Sequence, residues 1–270
     1  MHSLLQLQFA VAGRDDYRGV LEIGREIELL AARTQNPRFA TIAFLGQGLA
    51  WIRLGDLGHA EAALDRATTG LAHELGPLEE ALGAGFSALC ALRQERRERA
   101  DALARSALTA VKRARWAMLE LRHALFCVLE VYLADGRRAH PVPQIRDALA
   151  ELGRLARRFP FAVPSASLFQ GRYEWLRARP ARAAACLRRS LRVADQRCSR
   201  YEQALAHYWL GRLALSAEGR RYVPEGATPH LREALALFER LGVVWDAARV
   251  REALQHAPQL TAQSPKLAVQ

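Results

Sequence analysis

One spacing recurs along the chain: apolar landmarks, set as in a pair of short helices, return about every 40 residues. In the clearest unit they are Gly48, Trp51, Gly55, Ala60, Leu64 and Ala67. Moved on by 123 positions they become Gly171, Glu174, Ala178, Ala183, Leu187 and Ser190, and a further 40 reaches Gly211, with Ala214 behind it. The same frame passes through Gln8, Val11, Val20, Gly24 and Ile27 near the start, Ala88, Ala91, Ala100, Ala104 and Ala107 in a third unit, and Val128 and Val131 in a fourth. No unit of this length can bury its apolar face alone, so stacking must supply the core. The expected fold is all-α: a right-handed α-solenoid of about six helix hairpins plus a closing helix.

The repeat places one domain over residues 1–256, with units near 1–35, 36–76, 77–116, 117–160, 161–200 and 201–256. Asn36-Pro37 and Thr228-Pro229 read as a capping side chain followed by proline in the first turn. Gly76 is expected to end one helix in a left-handed turn before Pro77 opens the next. Gly13 to Asp16 and Gly55 to Gly58 read as tight turns within hairpins. His140 to Pro143 is expected to form an extended elbow, and 218–228 a lengthened turn. Residues 257–270 have no apolar period and two prolines, and are expected to be a disordered tail. Residue 1 already falls inside the repeat frame, with Leu4, Leu5, Leu7 and Phe9 uncovered upstream. That pattern is expected of the C-terminal part of a longer array, or of self-association through the first repeat.

Half of the 270 residues are hydrophobic, so the chain is not disordered, yet no apolar run approaches the ~20 residues needed to cross a bilayer. The start lacks the basic region of a signal peptide. Cys90, Cys127, Cys186 and Cys198 form no CxxC pair and read as buried thiols of a reducing, cytoplasmic compartment. The net charge of +11 is unevenly spread: residues 1–90 carry −4, 91–200 carry +14 and 201–270 carry +1. Nearly all of the bases are arginine, in two clusters. One runs from Arg93 through Arg96, Arg97, Arg99, Arg105, Lys112 and Arg113 to Arg115. The other takes in Arg177, Arg179, Arg182, Arg188, Arg189, Arg192, Arg197 and Arg200.

Small residues at position 8 of the unit (Gly48, Gly171, Gly211) and Ala at 20 (Ala60, Ala100, Ala183) let two helices approach closely. Bulky residues at 11 (Trp51) and 24 (Leu64, Leu187), with small ones at 27 (Ala67, Ala107, Ser190), complete the set. These landmarks resemble the tetratricopeptide pattern, in a unit about six residues longer than the usual 34. With Tyr201 to Leu215 and His230 to Leu254, the chain is similar to the tetratricopeptide-like C-terminal arrays of large bacterial signalling proteins. Among these are transcription activators with a nucleotide-switch ATPase, and kinases or cyclases fused to such ATPases. The resemblance implies a non-catalytic module that docks a protein or acidic peptide, an upstream kinase or ATPase domain among the candidates, with no cofactor.

The residues themselves offer little chemistry. There is no GxxxxGK[ST] loop and no HExxH, and Gly46-Gln47-Gly48 sits in a helical frame, where close packing explains it. His207 has no second ligand on its own face, and Glu79-Glu80 fits the start of a helix. The first helices of hairpins are expected to line an inner groove. Its partner-binding residues would be Arg172 and Trp175 in the fifth unit and Tyr208 and Arg212 in the sixth, beside Ser165, Leu168, Leu205 and Leu215. At the same positions earlier units offer Leu45, Leu49, Ile52, Leu89, Leu92, Leu125, Leu129 and Tyr132. The alternative is a nucleic-acid-associated scaffold using the outer basic patch of Arg182, Arg188, Arg189 and Arg192.

Overall fold

The computed structural model of the chain describes residues 2–69, 75–114, 118–134 and 142–257, without the side chains of 2–6 and 142. Among the described residues there are thirteen α-helices and no strand. They are α1 (His2–Ala12), α2 (Tyr17–Thr34), α3 (Pro37–Leu54), α4 (Leu57–Thr69), α5 (Pro77–Arg93), α6 (Arg97–Arg113) and α7 (Leu121–Tyr132). There follow α8 (Val142–Arg158), α9 (Val163–Leu176), α10 (Pro180–Gln196), α11 (Arg200–Leu215), α12 (Ala227–Leu241) and α13 (Val244–Gln255). The fold is all-α, with helices packed in neighbouring pairs: α1 on α2, α3 on α4, α5 on α6, α9 on α10, α11 on α12. First members of pairs also touch in succession, α3 on α5, α5 on α7 and α9 on α11.

The recurrent glycine explains how paired helices come so close. A Cβ at Gly48 would lie 2.6 Å from Leu64 Cδ2, one at Gly171 2.8 Å from Leu187 Cγ, and one at Gly211 2.7 Å from Leu231 Cδ2. In two pairs the position-8 glycine receives the buried position-24 leucine of its partner helix, and at Gly211 the buried Leu231, four residues further along, takes that place. Gly46, within the Gly-Gln-Gly run of α3, faces buried Gln8 in the same manner, 2.5 Å from its Cδ. Gly55 ends α3 at φ +90°, a conformation that a side chain would strain, and donates its N–H to Trp51.

Several local expectations need correction. Asn36 makes no capping side-chain bond, although Pro37 does open α3. Gly76 is extended (φ −75°, ψ 165°), the ordinary geometry of a residue preceding a helix, and not left-handed. Gly226, at φ +82°, precedes α12, so Thr228 lies in its first turn instead of capping it. Only Cys90 and Cys127 are buried, their thiols pushed by burial to about 11 and about 12; Cys186 is half-buried and Cys198 is exposed. At the first helix Leu7 is exposed and Phe9 half-buried, while Leu4 and Leu5 are outside the described side chains. The expected elbow at 140–143 and the tail at 257–270 lie largely outside the described residues.

The larger correction concerns the inner face. Leu45, Leu49, Ile52, Leu89, Leu125, Leu129, Tyr132, Ser165, Leu168, Leu205 and Tyr208 are all buried. Their face is filled because late helices return onto early ones: α13 touches α3, and a polar clasp spans the gap. Arg93, read from the sequence as part of a surface cluster, is buried instead, with its Nη2 3.1 Å from Asp246 Oδ2 on α13 and Nη1 donating to the Ile52 carbonyl. The Tyr201 hydroxyl donates to the same Asp246 oxygen at 3.0 Å and accepts from Arg53. Arg53 stands over the rings of Tyr201 (3.9 Å) and Phe126 (4.7 Å). Asp15, in the α1–α2 turn, accepts from the Tyr201 N–H at 2.8 Å and the Tyr17 hydroxyl at 3.1 Å. Arg122 and Glu202 stand 3.5 Å apart, and Ser165 donates to Glu202 at 3.0 Å.

Two outcomes follow from this packing. Gly48→Leu or Gly211→Leu should destabilise the chain by about 1–3 kcal/mol each in chemical denaturation, since the buried leucine opposite has to move. Burial, reinforced by Glu202, raises the Asp15 carboxyl to about 7, against the pull of the Tyr201 and Tyr17 bonds and of Arg122. A carboxyl raised on folding contributes stability that is complete below its unfolded value of 3.8 and is lost as the pH rises through about 7. Melting temperatures across that window should therefore fall in the wild-type chain and fall less in Asp15→Asn; parallel profiles would contradict this.

Candidate functional site

The described residues hold an open cleft of about 590 Å³ where α9, α11 and α13 meet the end of α7. Spacing of three on α9 puts Arg172 and Trp175 on one helix face, and the same spacing on α11 does so for Trp209 and Arg212. Arg249 enters from α13, and Leu133 and Glu218 complete the rim. Three guanidiniums and two indoles thus surround one space. Trp175 and Trp209 stand edge to face, 6.2 Å between centroids at 78°. Trp209 lies between two cations, with Arg172 Cζ 4.2 Å and Arg249 Cζ 5.9 Å from its ring.

The three arginines are not equivalent. Arg172 has 3% of its side chain exposed; it donates to Glu130 at 2.5 Å and to the Leu133 carbonyl at 3.2 Å. Burial lowers its guanidinium from the ordinary arginine value, and Glu130 opposes that shift. It is a buried anchor of the cleft wall, which corrects its expected role as a free cation beside Arg212. Arg249 is partly exposed, 3.5 Å from Asp246 Oδ1 and over the rings of Trp245 (4.6 Å) and Tyr208 (4.9 Å). Burial would lower its guanidinium, but Tyr208 and Asp246 outweigh this and the net direction is up. Arg212 is exposed on the cleft lining and donates through Nη1 to the Tyr208 hydroxyl at 2.8 Å. Tyr208, only 2% exposed, backs the cleft without lining it.

Of the four residues named from the sequence, then, Arg172, Trp175 and Arg212 line one cleft and Tyr208 supports it. The sequence reading missed Trp209 and Arg249. Trp209 sits beside Tyr208 but off the positions expected to face inward, and α13 was legible only as a closing helix. Of the alternative patch, Arg182, Arg189 and Arg192 are exposed on α10, whereas Arg188 is bound to the Tyr222 carbonyl (2.8 Å) and Glu225 (3.2 Å). His207, which has no partner on its own helix, meets His230 of α12 with their Nδ1 atoms 2.9 Å apart. Among the described residues no group of three or more His, Cys, Asp or Glu is placed to hold a metal ion. No helix there is long and apolar enough to cross a membrane.

No family model matches the chain, and no curated protein is significantly similar to it in sequence.

The Arg172–Glu130 pair gives a direct test of the cleft wall. Glu130→Ala should strand a buried guanidinium and cost about 3–5 kcal/mol in a denaturation curve. Changing both partners to apolar residues, Glu130→Leu with Arg172→Met, should recover much of that loss.

Proposed function

We propose that this chain is a non-catalytic binding module, a solenoid of tetratricopeptide-like hairpins, that takes a short acidic segment of a partner protein in the α9–α11–α13 cleft. The observation that carries the reading is the convergence there of Trp175, Trp209, Arg212 and Arg249. Rigid aromatic area with arginine is the usual make-up of protein-binding hot spots, and Arg212 retains donors for a carboxylate. The recurring glycine–leucine contacts at one unit position support the hairpin-repeat reading. The resemblance to C-terminal arrays of bacterial signalling proteins supports a cytoplasmic role beside a kinase or nucleotide-switch ATPase, as part of the same protein or docked to it. Exposed Leu7 on α1 is where a second copy or a preceding repeat would add.

The test uses the indoles as reporters. Tryptophan fluorescence of the full chain should respond to peptides of alternating Asp, Glu and apolar residues and not to their Asn/Gln counterparts. Arg212→Glu and Trp175→Ala should each weaken the response by about tenfold or more, as hot-spot losses do. Equal affinity in both variants, with unchanged helical circular dichroism, would remove the cleft as the site.

A further inference from the structure

The charge of this protein is not carried evenly by its helices. Between residues 142 and 200 there are thirteen arginines against four acids, a surplus of +9 out of the total of +11. Four basic residues of α6 and its N-cap are matched across helices: Arg96 and Arg99 by Glu61, Arg113 by Glu80 and Lys112 by Asp147. Those of α8 and α10 mostly are not. The four acids of this stretch are already engaged, Asp147 with Lys112, Glu151 with Arg154, Glu174 with Arg179 and Asp195 with Arg200. Arg146, Arg157, Arg182, Arg189 and Arg192 are exposed and belong to none of the carboxylate pairs among the described residues.

Part of this surplus lines a defined surface. Along α8 and the flank of α9 runs a shallow groove of about 720 Å³, lined by Arg146, Arg154 and Arg157. Arg146 and Arg154 are two turns apart, about 12 Å along the helix, and Arg157 follows within the next turn. Between them lie Leu149, Ala150 and Gly153, with Asp147, which is paired to Lys112, also on the lining, and a Cβ on Gly153 would meet nothing nearer than Arg157 Nη1 at 4.0 Å. The floor is therefore low beneath a row of guanidiniums. Just beyond the C-terminal end of α8, the turn carries Phe161. It is 52% exposed, the one exposed Phe, Tyr or Trp ring among the described residues, and Arg197 Cζ lies 4.9 Å from it. An exposed ring backed by a cation is a surface on which a flat base can stack, and a row of exposed guanidiniums, of which Arg154 alone is paired (with Glu151), suits a chain of phosphates.

We propose that the α8 groove and Phe161 bind single-stranded nucleic acid, with the phosphates along Arg146, Arg154 and Arg157 and a base on Phe161. An acidic protein segment would use the arginines, but a ring as exposed as Phe161 lacks the packed, desolvated pocket in which a protein hot spot sits. A duplex would offer phosphates but keeps its bases stacked inside.

The test is fluorescence anisotropy of an end-labelled oligothymidylate of about 15 nucleotides with the full chain, from about 0.05 to about 0.2 M salt. Binding should weaken steeply with salt. The triple change Arg146→Gln, Arg154→Gln, Arg157→Gln should reduce the slope of log K on log salt by about 2, since single strands release about 0.7 ion per phosphate contact. Lysine at the same three positions should restore the slope. Phe161→Ala should weaken binding about fivefold or more, as loss of one stacked base does, with the slope unchanged. All four residues are exposed, so circular dichroism should not move. Equal competition by polyglutamate, or a Phe161→Ala variant that binds as tightly as wild type, would overturn the assignment in favour of an acidic protein partner. Absence of binding at low salt, or indifference to the triple change, would overturn it outright.

Discussion

The rest of the structure depends on one buried contact, the carboxylate of Asp246 held between Arg93 and the Tyr201 hydroxyl. Helix pairs that touch only their neighbours give a chain no reason to close. Here residues 153 positions apart form an ion pair whose side chains are 1% and 3% exposed, and Tyr201 reaches both Arg53 and Asp15. Buried pairs of this kind add little net stability, because desolvation offsets most of the attraction, but an unmatched partner is severely penalised. Their effect is therefore on which arrangement forms. A late helix docked in the wrong register would leave Arg93 and Asp246 buried and alone. The clasp selects a single way of closing.

The helices and their pairing were legible because the signals are local. An alanine-rich 3.6-residue period and a glycine spaced to meet a leucine of the next helix need no knowledge of distant chain. What was misread were charges. Arg93 and Arg172 were assigned to surfaces because arginine usually is exposed. A weaker signal for Arg172 was present: Glu130 precedes it by 42 residues, and many polar contacts run between neighbouring units at about one period. Arg38–Glu79 spans 41 residues, Arg99–Glu61 38 and Ser165–Glu202 37. In a repeat, a charged residue at an inward position should be checked against the same face one unit away. No such rule reaches the clasp, whose separations of 148, 153 and 186 residues are set by the return of late helices onto early ones.

The same one-unit rule orders the surface charge. The acids of the first third, Glu28, Glu61, Glu79 and Glu80, each bind an arginine of an adjoining pair, so the negative early segment and the basic α6 largely neutralise one another. Among the described residues the surplus is greatest where basic helices meet few complementary acids, on α8 and α10. Segmental net charge placed the excess in the middle third, but it could not separate matched arginines from unmatched ones. That distinction needs the partners in space.

The cleft and the clasp meet on α13. Asp246 points one carboxylate oxygen to Arg93 and Tyr201 in the interior, and the other lies near Arg249, which lines the cleft. Arg249 is three residues further along the same helix, so its place at the opening is set by contacts made to α5 and α11. The opposite wall is fixed in the same way, since Arg172 is tied to Glu130 of α7. Both walls of the cleft are therefore held by buried pairs whose carboxylates, Asp246 and Glu130, lie behind the lining. A ligand that bridges α9, α11 and α13 favours the docked position of α13, and by linkage the docked α13 favours the ligand to the same degree. The shape of the cleft is in this sense a property of residues half the chain away, and the proposed binding at that surface rests on the clasp beneath it.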